Sequence, residues 1–261
     1  MKHYGTRFDW HKEVDKTVRA TLEKCYPRNW KDEDHLTRTL LEALRDAHAK
    51  VTIKKEKITG TNTKCYWDIY KNTKEQGVEQ KHGDIGVLVQ MHFDHSKILE
   101  GVAFLEAKRI YPDKDESKSN YQALDMPQLQ RYCSNSSCHR TVLYDCLKEN
   151  DSKIATAWTL PTRHLLTIDK NTRDLHPYCE LFSYCLTNRY FQGYELDYNQ
   201  NNINAAKGFL DANGGVDFLI VAQVTLKPEL ELNPELISIN KNKYKLLASS
   251  KPDNNLDGPN P

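Results

Sequence analysis

The sequence lacks any apolar run approaching the roughly 20 residues of a helical membrane span, so no membrane segment is expected. The opening MKHYGTRFDWHKEV is too polar for a secretory signal peptide, and a cytoplasmic protein is the expectation. Paired cysteine knuckles are missing: Cys25, Cys65, Cys133, Cys138, Cys146, Cys179 and Cys185 are scattered without the C-x-x-C spacing that zinc sites usually use, and they read as reduced thiols. Cys133, Cys138 and Cys146 lie close enough together to raise a redox or iron–sulfur role, but their spacing is not diagnostic. An excess of one charge is missing too. The 37 Lys and Arg residues face 36 Asp and Glu, a net charge of +1, so no strong overall field draws the chain to nucleic acid. Any such contact has to be local. The candidate basic patches are 50–57 (KVTIKKEK) and Lys108, Arg109 with Lys114 and Lys118, although a charge run is more often a solvated face. There is no internal repeat and no visible base-reading module.

What is present suffices for one main core with a small appended lobe: 261 residues, 38% of them hydrophobic. Trp10, Val14, Val18, Leu22 and Cys25 recur at helical spacing, and a second helix is expected from the N-cap Asp32 through Leu36, Leu40, Leu44 and Ala47. The pattern then turns to strand-like runs at 51–53, 65–70, 85–91, 98–108, 141–144, 154–160 and 165–168. A helix around 126–133 interrupts them, with Pro127 in its first turn, where a missing N–H costs little. Beyond 177 come Tyr178, Phe182, Tyr184, Tyr190, Phe191 and Tyr194, then a strand at 216–224. These aromatics suit core packing or the stacking of exposed bases. The order of elements implies an α/β fold with a mixed sheet. The expected organisation is a core over 1–176, an extension packed on it over 177–248, and a disordered tail over 249–261.

The most informative segment is HGDIGVLVQMHFDHSKILEGVAFLEAKR, two apolar runs around the polar turn Asp94-His95-Ser96. If the runs pair as a hairpin about residue 95, Asp84 stands opposite Glu106, with Cβ atoms about 5 Å apart. Lys108 lies on the same strand face as Glu106, and Ala107 points away. Two carboxylates so close repel each other, and a cation is the usual compensation. Oxygen ligands of this kind suit Mg²⁺, which keeps waters and accepts phosphate oxygens, so the arrangement can serve phosphodiester hydrolysis. The structural alternative is that Asp84 caps a strand while Glu106 and Lys108 form an end-of-strand ion pair. His82, His92 and His95 cluster around the hairpin and read as solvated loop histidines rather than a zinc site.

GDIGVLV followed by FLEAKR resembles the core of the PD-(D/E)XK nuclease superfamily. Asp84 matches its metal-binding Asp, Glu106-Ala107-Lys108 its E-x-K element, and Gln128-x-x-x-Tyr132 the Q-x-x-x-Y motif of its RecB and lambda exonuclease branch. Gly83, not Pro, precedes Asp84, a departure at a position where that Pro is often absent in the superfamily. The resemblance spans about 33–144 and implies a restriction-endonuclease-like mixed sheet flanked by helices, with C-terminal additions. It implies a Mg²⁺-dependent deoxyribonuclease, Mn²⁺ substituting, of bacterial antiphage defence or restriction. Asp84, Glu106 and the Ala107 carbonyl would hold metal, Lys108 would serve the nucleophile, and Gln128 and Tyr132 would position the site or the DNA backbone. Arg109 and Arg131 are the implied DNA contacts. Members also recruit a carboxylate from the first core helix; Glu33 shares the face of Leu36, Leu40 and Leu44, whereas Glu42 should face solvent, so Glu33 is the candidate. As a first-turn carboxylate, Glu33 also suits the helix dipole. The alternative function is a catalytically silent subunit of the same fold that binds DNA or a partner protein. With few local cations, the nuclease is expected to need a partner protein or self-association, and the 178–194 aromatics are the expected surface.

Overall fold

The computed structural model describes residues 1–30, 32–54, 62–73, 81–113, 115, 118–121, 124–149, 152–210 and 215–247. The expected tail lies outside the described residues, as do Lys55, Lys57 and Lys114 of the basic runs. After a short strand β1 (Lys2–Tyr4), helix α1 (Arg7–Cys25) starts at Thr6, whose side chain accepts the Asp9 N–H. It buries Trp10, Val14, Val18, Leu22 and Cys25, the stripe set by 3.6-residue periodicity. Helix α2 (Glu33–His48) starts at Asp32, which accepts the Asp34 N–H, and buries Leu36, Leu40, Leu41 and Leu44.

Strands β2 (Lys50–Ile53), β3 (Thr63–Asn72), β4 (Ile85–His92), β5 (Ile98–Tyr111) and β6 (Asn120–Tyr121) follow, then helix α3 (Met126–Asn135) and strands β7 (His139–Glu149) and β8 (Ser152–Pro161). The expected strand at 165–168 is instead the second half of a helix, α4 (Thr162–Ile168). Four residues, three of them apolar, carry no decisive period, and Pro161, which has no N–H to continue a ladder, ends β8 and stands at the helix N-cap. The chain closes with β9 (Glu180–Leu181), α5 (Phe182–Asn188), α6 (Gln200–Ala206), β10 (Phe218–Thr225) and β11 (Tyr244–Leu246).

The strands form one mixed sheet ordered β1-β2-β3-β10-β4-β5-β7-β8-β9, with β11 on β3 and β6 on β5. Strands β4 and β5 are antiparallel, β5 and β7 parallel across α3, and β10 runs parallel to β4 and antiparallel to β3. The 177–248 segment therefore does more than pack on the core. Its strand β10, buried at every position, lies between β3 and β4 and separates two strands that follow one another in sequence. Such a strand has no solvated face and reads as a continuous apolar run.

Alternation along β5 assigns the two faces. Ala103, Leu105 and Ala107 join the core under α1 and α2, whereas Val102 and Phe104 pack with Ile203 and Ala206 of α6. Glu106 and Lys108 continue the second face. The aromatic segment is divided: Phe182, Tyr190 and Phe191 are core residues, Phe191 stacking on Trp10 at 5.8 Å, while Tyr178, Tyr184 and Tyr194 are exposed. Burial of each large apolar side chain contributes about 1.5–3 kcal/mol, which ties this segment firmly to α1. Among the described residues no helix is long and apolar enough to cross a membrane.

Candidate active site

Strands β4 and β5 pair with Ile85 opposite Leu105 and His92 opposite Ile98, the register centred on residue 95. Asp94 closes the turn by accepting the N–H groups of Ser96 and Lys97 on Oδ1. At the other end Asp84 precedes β4 by one residue, and its Oδ2 accepts the Ala107 N–H at 2.6 Å. Strand geometry sends the Ala107 carbonyl out along this same edge. Two residues from Glu106 on one face, Lys108 places Nζ 2.7 Å from Glu106 Oε1 and 3.6 Å from Glu33 Oε2. The other oxygen of Glu33 accepts the Arg109 N–H at 3.2 Å, so the first turn of α2 is joined to the end of β5. Glu42, expected to face solvent, is half-buried, its side chain 17% exposed against 27% for Glu33, and it pairs with Arg38 at 3.0 Å instead of reaching Lys108. Asp84, Glu106, Lys108 and Glu33 are thus brought together.

Gly83 explains the departure from Pro. Its φ is +90°, in the region open to glycine and closed to proline, whose ring holds φ near −65°. Space is equally restrictive: a Cβ there would stand 2.8 Å from the Leu105 carbonyl oxygen, 3.1 Å from Glu106 Oε2 and 3.2 Å from His139 Nε2. The chain can turn Asp84 toward Glu106 only because residue 83 has no side chain.

Gln128 and Tyr132 sit behind this corner. Gln128 Nε2 donates to the Tyr132 hydroxyl within α3, and the fully buried Tyr132 ring stacks on His139 at 5.0 Å. His139 is held by Thr162 Oγ1 at 2.8 Å, and Thr162 in turn bonds Thr141, the lateral neighbour of Glu106. Burial lowers the His139 pKa to about 3, so its ring is neutral. The motif therefore packs against the rear of the site. Arg109 is buried, its guanidinium carbon 3.6 Å above the Tyr111 ring, and is no part of a solvated patch. Arg131 is exposed on α3. His82, expected in a solvated loop, is buried and stacks on Phe104 at 4.4 Å, while His95 is exposed.

A further carboxylate, Asp217, escaped the sequence reading. It precedes β10 as Asp84 precedes β4, and the parallel pairing of Phe218 with Ile85 brings the two aspartates to neighbouring strand ends. The available signal was the likeness of GVDFLIV to GDIGVLV, an Asp at the head of an apolar strand. Asp217, Asp84, Glu33 and Asp34 line a cleft of about 80 Å³ with Lys108. Burial, then Glu106 and Asp217, hold the Asp84 carboxyl well above the usual range against the pull of Lys108 and the Ala107 N–H. Burial lowers the Lys108 pKa, but Glu106, Asp84 and Glu33 outweigh it, and the net shift is upward, so Lys108 is an ammonium.

Counting Glu106, five carboxylates meet two lysines, Lys108 and the Lys71 that pairs with Asp34 and lies 3.9 Å from Asp217. Among the described residues no three His, Cys, Asp or Glu side chains stand together as a formed metal site, but an all-oxygen donor set with a deficit of positive charge is the chemistry that a hard divalent cation would take. Asp84, Glu106 and the Ala107 carbonyl, with Asp217 and Glu33 beside them, are the residues that would hold it. The chain matches no protein-family model, no curated protein and no solved structure.

Proposed function

We propose that the protein is a Mg²⁺-dependent deoxyribonuclease of restriction-endonuclease-like fold, with Mn²⁺ able to substitute. The observation that carries this reading is Asp84 set against Glu106 and Lys108 at the head of an antiparallel strand pair, in a cleft with more carboxylates than cations. A divalent ion bound there supplies Lewis acidity toward a phosphodiester and lowers the pKa of water. Glu106 and Asp84 hold charge that repels until a cation arrives. Lys108, kept protonated by its neighbours, orients an attacking water or offsets charge developing on phosphate; it does not act as a base in this state. Gln128, Tyr132 and His139 fix the rear of the site, and Gly83 fixes the approach of Asp84. An intact acid and lysine set favours an enzyme over a silent binding subunit.

The test is incubation of the purified protein with supercoiled and linear DNA in Mg²⁺, Mn²⁺ or EDTA. Cleavage in both metals and none in EDTA is expected. Equal cleavage in EDTA, or none under any condition from a folded protein, contradicts the reading.

A further inference from the structure

A cleft rich in carboxylates repels a polyanion, so capture of a nucleic acid has to come from cations outside it. Lys108 and Arg109 are buried and do not serve. Three residues upstream of Asp84, however, Lys81 opens onto a groove of about 1040 Å³ along the outer face of α3. Pro127, Gln130, Arg131, Ser134 and Asn135 complete its lining, and among the described residues lining it there is no carboxylate. Asn135 Nδ2 donates to the Lys81 carbonyl at 2.7 Å, which fastens the helix to the segment leading into the site. Arg131 is exposed and holds no ion pair or hydrogen bond among the described residues. Arg163 of α4, also exposed, reaches the same end of the helix, where it donates to the Cys133 carbonyl at 3.3 Å. The short segment from Lys81 to Asp84 thus links a basic groove to an acidic cleft. The three residues from Lys81 to Asp84 span at most about 11 Å of extended chain, close to three steps of B-form DNA at 3.4 Å each.

We infer that this groove is the track for the phosphate backbone of DNA entering the Asp84–Glu106 cleft, with Arg131 as its principal phosphate contact and Arg163 beside it. The inference rests on the nuclease reading and adds to it how substrate is held. Gln130 and Ser134 offer further polar groups along the strand, and the contact is with backbone, so it is independent of base sequence.

The experiment is fluorescence anisotropy of short labelled duplexes of unrelated sequence, and of their separate single strands, in Ca²⁺ and across a salt series, with the full chain and variants of matched thermal transition. Arg131→Ala is expected to weaken binding of every sequence alike and to reduce the slope of log affinity against log salt by about 0.9, the value for one phosphate contact. Arg131→Lys is expected to keep most of that slope. Lys12→Ala removes the same charge from an exposed position on α1 that does not line the groove, and is expected to leave the slope unchanged. A wild type that binds while Arg131→Ala retains the full slope overturns the groove alone. A wild type that binds neither single- nor double-stranded DNA overturns the nuclease reading and this inference with it.

Discussion

Lys108 Nζ lies 2.7 Å from Glu106 Oε1, the two side chains leaving one face of β5 two residues apart. Glu33 reaches the same ammonium from α2 at 3.6 Å, so one buried cation is shared among carboxylates of two elements. A cation so placed competes with a metal ion for the same oxygens and also stands ready for charge that forms on a substrate. These two roles separate in experiment.

Lys108→Ala is expected to lower turnover by about 10²–10³-fold, the usual loss when a group that stabilises transition-state charge is removed. Its metal affinity should stay the same or rise, because the competitor is gone. Lys108→Arg should not restore turnover, since a planar fork does not replace a compact ammonium. Calorimetric Mn²⁺ titration beside single-turnover cleavage checks this; lost metal binding with parental turnover at saturating metal contradicts it.

Asp84→Asn separates charge from shape. The folded protein holds the Asp84 carboxyl above its unfolded value, so the protonated form favours the fold. That contribution is complete below the ordinary aspartate pKa of about 3.9 and is lost as pH rises through the raised folded value. Asn imitates the protonated acid and can still accept the Ala107 N–H. Metal-free Asp84→Asn is therefore expected to melt about 2–4 °C above wild type at neutral pH, the shift that ~1 kcal/mol produces at this size, and to match it in acid. Scanning calorimetry in EDTA across pH measures the difference; a lower transition than wild type at neutral pH contradicts the assignment.

Much of this corner was legible because its determinants are local. A tight polar turn and alternating strands set the register that opposes Asp84 to Glu106, and helical angle turns Glu33 toward Lys108, although Glu42 is half-buried beside Arg38 and not in solvent. What escaped was set by distant pairing. Asp217 enters the site because β10 inserts beside β4, and no local pattern states which strand a buried apolar run will join. Burial of His82 has the same origin, since Phe104 stacks on it from β5, whereas Arg109 lies over Tyr111 two residues along its own strand. The run at 165–168 was too short for its period to choose helix over strand.

Glu33 and Glu42, nine residues apart on α2, provide an internal control. Glu33→Gln removes a charge from the cleft and is expected to lower turnover by about tenfold, equivalent to ~1.4 kcal/mol of barrier. Glu42→Gln breaks the pair with Arg38 one turn away and should leave turnover unchanged. Equal effects of the two variants on steady-state cleavage would remove Glu33 from the site.

Gly83→Ala tests the corner itself. A side chain at φ +90° costs about 1–3 kcal/mol and meets the Leu105 carbonyl oxygen at 2.8 Å, so the turn has to shift and carry Asp84 with it. Urea denaturation should show a loss of that size, with a far larger loss of cleavage under conditions where the variant remains folded. Parental cleavage by a folded Gly83→Ala protein is the opposing result.

Mg²⁺-dependent cleavage of linear DNA by wild type, Asp84→Asn and Glu106→Gln, each verified as folded by its thermal transition, tests whether Asp84 and Glu106 form a metal-dependent nuclease site. Wild type is expected to cleave and to lose cleavage in EDTA, and neither folded variant is expected to cleave at any Mg²⁺ concentration. Parental cleavage by either variant, or wild-type cleavage that persists in EDTA, contradicts such a site.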